Sequence, residues 1–134
     1  IERGRRYYLL NDFIADRISI EDMFRILEVN PGDGLVVQYG FAFCLLSKNL
    51  DLTRKYVDRL YGTPSLTTLP TPVQEALVAC PEFLDSADYA EWCFSKGVTE
   101  DTARRFRGFC DSFNSGSSFS LLEYKNTFWF YYFL

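Results

Sequence analysis

The chain has 134 residues, with 14 cationic and 18 anionic side chains, no histidine and a net charge of -4. Its 48% hydrophobic content excludes a disordered chain, and its acidity excludes the basic surface that nucleic acid requires. An aromatic fraction of 18%, with 13 Phe and 9 Tyr, predicts a core of large rigid rings in a single domain over 1–134, and Ile1 in place of an initiator Met reads as a segment cut from a longer protein.

In chain order, "RRYYLLNDFIADR" sets Leu10, Phe13 and Ile14 on one helical face and ends a first helix near Arg17. Ser19 caps a second helix in "SIED", with Ile20, Met23, Phe24 and Leu27 as the buried stripe, and "NPGDG" at 30–34 stops it. The run from Leu35 to Lys48 is apolar on nearly every side. It falls short of the roughly 20 residues a bilayer demands, so it is expected as the central helix, covered all round. Asp51 then caps "LTRKYVDRLYG", with Leu52, Tyr56 and Leu60 inward and Gly62 closing the helix.

Residues 63–72 form a proline-bearing loop. Thr71 caps a short helix in "VQEALVAC", with Pro72 at its first position and Gln74 where a capping box places it. "DSADYAEWCFSKG" is a helix capped near Asp85 or Ser86 and closed by Gly97, with Tyr89, Trp92 and Cys93 as its apolar face. Thr99 caps the next, whose stripe is Phe106, Phe109, Cys110 and Phe113. "NSGSSFS" is a flexible loop, and Asn126 or Thr127 caps one or two closing turns in "FWFYYFL". A β-strand is the alternative for that run, since Phe, Trp and Tyr favour strands. The pattern predicts an all-α chain of seven or eight short helices stacked as antiparallel hairpins.

"LLSKNLDLTRKYVDRL" resembles the turn of a tetratricopeptide hairpin, with Asn49 near the turn glycine and Leu52 near the aromatic that follows it. Lys55 and Arg59 depart from that pattern, and no second hairpin follows at the period of about 34 residues. The resemblance therefore implies a tetratricopeptide-like, right-handed α-α array and not a regular repeat. "FAFCLLSKNLDL", "PTPVQEAL" and "NTFWFYYF" together resemble an uncharacterised group of Bacteroidetes proteins that join a multi-spanning membrane region to a C-terminal helical domain. That resemblance implies a soluble domain at a bacterial inner membrane, on a side that three charges do not decide. It also implies that Arg3, Arg5 and Arg6 lie near the bilayer surface and that the membrane portion of the same protein is a candidate partner.

The absence of His removes the commonest general base and the usual partner of a Ser or Cys nucleophile. Cys44, Cys80, Cys93 and Cys110 form no Cys-x-x-Cys pair, so they are expected as buried thiols, with no metal and no cofactor. "NPGDG" lacks the Lys and hydroxyl residue of a phosphate loop. Among the acids, Asp88 and Glu91 share a helix face, while Glu100 and Asp101 suit a helix N-terminus. Glu75 stands among apolar residues, where burial raises a carboxylate's proton affinity.

Two functions follow from this inventory. The first is a non-catalytic interaction domain for a protein or peptide partner, anchored by Tyr7, Tyr8, Tyr39, Trp92, Trp129 and Tyr132. The second is a carbohydrate- or small-ligand-binding domain, or an enzyme, with Glu75, Asp88 and Glu91 around one cleft. In either case Trp129 and Phe133, four apart, are expected to dock on the preceding hairpins and leave the outward rings for a partner or for bilayer headgroups.

Overall fold

The computed structural model describes Arg25, Val29 and residues 34–134, and it is all-α. No strand forms among the described residues, only isolated bridges from Leu66 to Tyr61 and Thr63. The chain divides into two compact units, Ile1–Thr67 and Thr68–Leu134. The expected first helix, Tyr7, Tyr8 and the three N-terminal arginines lie outside the described residues; of the expected second helix, Arg25 and Val29 are described and helical.

In the first unit, α1 (Gly34–Leu46) and α2 (Leu50–Leu60) pack against each other. Although α1 is apolar on most sides, only Val37, Gly40, Phe41 and Cys44 are buried, and Leu35 is 56% exposed. The expectation of a helix covered all round is thus corrected to one covered along a single stripe. At the turn, Lys48 takes the left-handed conformation (φ 57), and Asn49 accepts the amide of Leu52 at 3.0 Å. Asn49, not Asp51, is therefore the cap; Asp51 sits inside the first turn and pairs with Arg54. Tyr56 and Leu60 are buried as expected, joined by Thr53 and Val57, while Leu52 is half-buried. Gly40 lets the Tyr56 ring approach α1, since a Cβ there would lie 2.9 Å from Tyr56 Cε1.

In the second unit, α3 (Thr71–Val78) is the covered helix. Every residue from Val73 to Val78 is buried, and α5 (Ala87–Ser95), α6 (Glu100–Asn114) and α8 (Phe128–Phe133) pack around it. Each aliphatic side chain removed from water there contributes about 1.5–3 kcal/mol. Pro70 is the N-terminal flanking residue and Thr71 is already helical, so Thr71 is not the cap; Pro72 lies in the first turn, where its missing N–H costs nothing.

A single turn not anticipated from the sequence, α4 (Glu82–Asp85), seats Phe83 edge-on against Phe94 and Phe106, both at 6.2 Å. Ser86 and Thr99 cap α5 and α6 as expected. The expected loop over "NSGSSFS" is helical from Ser118. Ser117 caps α7 (Ser118–Leu121), Leu121 anchors it, and a 3-10 turn follows at Leu122–Tyr124. The aromatic terminus is helix, not strand, because its first amides have partners. Thr127 Oγ1 accepts from Phe130, and a carboxylate oxygen of Glu75 accepts from Phe128.

Candidate functional site

Glu75 is 3% exposed and none of its oxygens is left over. Its Oε1 accepts the Phe128 amide at 3.0 Å, its Oε2 accepts Nη1 of Arg105 at 3.1 Å, and its backbone carbonyl accepts the Trp129 indole N–H at 2.8 Å. One residue of α3 thus holds both the start of α8 and the cation of α6. The Arg105 guanidinium also lies 5.5 Å from the Trp129 ring centroid and donates from Nε to Asp101 at 3.2 Å. A carboxylate buried in this way is tolerated because its charge is matched and each of its oxygens accepts a hydrogen bond.

Gln74 beside it performs a related task. Its Nε2 donates to the Leu69 carbonyl at 3.0 Å, and its Oε1 accepts from the Thr99 amide, the Thr99 hydroxyl and the Thr102 hydroxyl at 3.1, 3.2 and 2.9 Å. The capping-box role expected for Gln74 is therefore corrected: its side chain leaves α3 and organises the N-terminus of α6. Arg105 Nη2 lies 3.5 Å from Thr102 Oγ1, which joins the Gln74 and Glu75 groups into one network.

Aromatic rings surround this network. Trp129 is wholly buried, with ring centroids of Phe106, Phe109 and Tyr124 at 5.3, 5.9 and 6.4 Å. Above Phe109 runs a line of rings that reaches the surface. Phe113 meets Phe133 at 6.1 Å, Phe133 meets Tyr132 at 4.9 Å, Tyr132 meets Phe128 at 5.4 Å, and Phe128 meets Tyr131 at 6.0 Å. Phe109 touches both Phe113 and Phe133 from below, at 6.0 and 5.8 Å. Phe113, Phe133 and Tyr131 are exposed by 43%, 40% and 45%. Tyr124, edge-on to Phe109 at 5.6 Å, has its phenol pushed up by burial and then by the carboxylates of Glu123 and Asp111, against the pull of Arg105.

All four cysteines are free thiols; Cys44, Cys80 and Cys93 are buried and Cys110 is half-buried. Tyr89 donates its hydroxyl to the Leu77 carbonyl at 2.7 Å. No grouping of His, Cys, Asp and Glu suited to a metal ion occurs among the described residues. No helix among them is long and apolar enough to cross a membrane.

The model of a family of unknown function, DUF6057, matches residues 1–134. The chain belongs to that family. No curated protein and no solved structure matches it.

Within this DUF6057 chain the sequence-derived site residues have distinct fates. Tyr39 on α1 is half-buried. Trp92 on α5 is half-buried, stacked on Tyr89 at 5.7 Å, with Lys96 5.9 Å from its centroid. Trp129 belongs to the core, and Tyr132 lies half-buried in the ring line. Glu75 faces the interior, whereas Asp88 and Glu91 are exposed on α5, so the three do not share one environment. Sequence reasoning missed Thr102 and Arg105 and gave Gln74 a different role. The signal available was Glu75 itself, because an acid inside six consecutive buried residues needs a cation and α3 contains none.

Proposed function

We propose that the chain is a non-catalytic helical interaction domain, the extramembrane part of a membrane-tethered protein, and that it holds a protein or peptide partner on the ring line of α6 and α8. The observation that carries this reading is the line from Phe113 through Phe133 to Tyr131, half-exposed rings fixed on the buried base of Phe109 and Trp129. Rings already ordered before contact lose little entropy on binding, and Tyr and Phe are common interface anchors.

The carboxylates point the same way. The Glu75 carboxylate is buried and committed to Arg105 and to the Phe128 amide, which keeps it from a substrate, and Asp88 and Glu91 are exposed apart from it. The pairing of α1 with α2 across a short turn supports tetratricopeptide-like hairpin stacking. The tether and the bacterial inner membrane rest on the resemblance of "FAFCLLSKNLDL", "PTPVQEAL" and "NTFWFYYF" alone.

A photo-crosslinking amino acid at Phe133 of the full-length protein in its host tests the reading. A discrete protein adduct is expected there and not at Leu84, a control that is 59% exposed outside the ring line. Identical adduct patterns from both positions would overturn it.

A further inference from the structure

We infer that the partner-holding part of the chain is residues 68–134 alone, a self-contained module that folds and keeps its ring line whatever the state of the first unit. This rests on the interaction reading above and adds where that interaction resides. The boundary falls at Thr67 and Thr68, two exposed residues between Leu66 and Leu69, which are both buried. Leu66 is tied backward: its amide donates to the Thr63 carbonyl at 3.1 Å and its carbonyl accepts the Gly62 amide at 2.9 Å. The Leu69 carbonyl is tied forward, accepting Gln74 Nε2 at 3.0 Å. A short polar link whose two flanks are each anchored on their own side is the usual form of a domain boundary.

Beyond that link the chain closes on itself. α3, the first helix of the unit, packs against α8, the last, and sixteen buried apolar residues from Leu69 to Trp129 form its core. Below about 70–80 residues a core alone seldom suffices, so a unit of this size needs further fasteners. Gln74 and Glu75 supply them. Their side chains engage Leu69, Thr99, Thr102, Arg105 and Phe128, every one within 68–134. A buried acid whose cation belonged to another unit would be stranded whenever that unit opened, and Glu75 carries no such dependence. The exposed rings of Phe113 and Phe133 rest on Phe109, which itself meets Trp129, so the ring line and its base belong to the same unit.

Both tryptophans, Trp92 and Trp129, lie in 68–134, so indole fluorescence of the whole 134-residue chain reports on this unit. Two variants perturb the first unit: Tyr56→Ala empties a site that is 1% exposed, and Val57→Asp sets a charge at a wholly buried position. In urea, the fluorescence midpoint is expected to keep its wild-type value in both, while the helical circular dichroism signal starts lower or declines earlier. Phe109→Ala, inside the module, should bring the fluorescence midpoint down. A fluorescence midpoint that falls with Tyr56→Ala or Val57→Asp, or a single transition shared by both probes, overturns the inference.

A protease site inserted between Thr67 and Thr68 of the full-length protein tests where the interaction resides. After cleavage, the crosslinker at Phe133 is expected to yield the same protein adduct as before it. Loss of the adduct on cleavage would overturn the residence of the interaction in 68–134 and leave the interaction reading standing. Absence of the adduct in the uncut protein overturns the reading beneath it.

Discussion

The backbone carbonyl of Glu75 accepts the indole N–H of Trp129 while the carboxylate of the same residue accepts the amide of Phe128. Main chain and side chain of one α3 residue therefore fix the register of α8. Trp129→Phe keeps most of the ring and loses the N–H, so it is expected to cost about 1–2 kcal/mol in a urea melt. Trp129→Ala empties a wholly buried site and should cost about 3–5 kcal/mol. Tyr131→Ala, on the exposed side of the same helix, should stay within about 0.5 kcal/mol. Deleting residues 127–134 should lower the melting temperature markedly; an unchanged value would show that the tail is not part of the core.

Arg105 and Glu75 are unequal partners, because the acid is deeper. The Glu75 side chain is 4% exposed and that of Arg105 is 33% exposed. Arg105→Ala strands a buried carboxylate and is expected to cost about 3 kcal/mol. Glu75→Gln keeps an acceptor for Phe128 and should cost less, about 1–2 kcal/mol. Denaturant midpoints in the reverse order would contradict this assignment of the buried charge.

Two helical glycines should respond differently to alanine. At Gly40 a new Cβ would press on the body of the Tyr56 ring, at 2.9 Å from Cε1 and 3.0 Å from Cζ, and Tyr56 is only 1% exposed. Gly40→Ala is therefore expected to destabilise by about 1–3 kcal/mol. At Gly108 the first obstacle is the Tyr124 hydroxyl, 2.5 Å away, with the ring carbon behind it at 3.7 Å. In a Tyr124→Phe background Gly108→Ala should become stabilising by about 1 kcal/mol, the usual gain in helix propensity. A double variant no more stable than Tyr124→Phe alone would refute that packing.

Stability should fall above pH 9. Burial pushes the Cys44 thiol up to about 12 from the usual 9.0, eased by its hydrogen bond with Thr53, and burial also raises the Tyr56 phenol. Between those two values the unfolded chain has released a thiol proton that the native chain still binds. The contribution is thus fully present below pH 9 and is lost as pH rises toward 12. Tyr89, raised first by burial and then by Cys80 and Cys93, acts in the same sense. Thermal midpoints measured across this range should decline, with a shallower slope in Cys44→Ala; midpoints that rise with alkalinity would refute the burial of these groups.

Local signals made much of this legible. Ser86, Thr99 and Thr127 cap where an oxygen-bearing side chain precedes a helical stripe, and Gly97 (φ 97) takes the left-handed position after α5. The misplaced central helix has one cause, which is that sequence periodicity reports which face is apolar and not what covers it. Apolarity around Leu35–Lys48 suggested a central helix, yet one stripe of α1 is buried. The shorter α3, interrupted by Gln74 and Glu75, is the helix enclosed from Val73 to Val78. The cap expected at Asp51 lies instead at Asn49, whose side chain accepts the Leu52 amide.

From the amino-acid order alone came the helical class, the capped starts, the wealth of rings and the want of imidazole, because each depends on composition or on neighbours within a turn or two. Tertiary structure alone decided that Glu75 finds Arg105 thirty residues on and Phe128 fifty-three on, which turned a suspected lone acid into the fastener of the last helix. It also decided which rings are spent inside, as Trp129 is, and which, like Phe133 and Tyr131, remain at the surface. Partners so distant along the chain leave no periodic trace in it; they are selected by the burial of a charge, which is costly until an opposite one arrives from another helix.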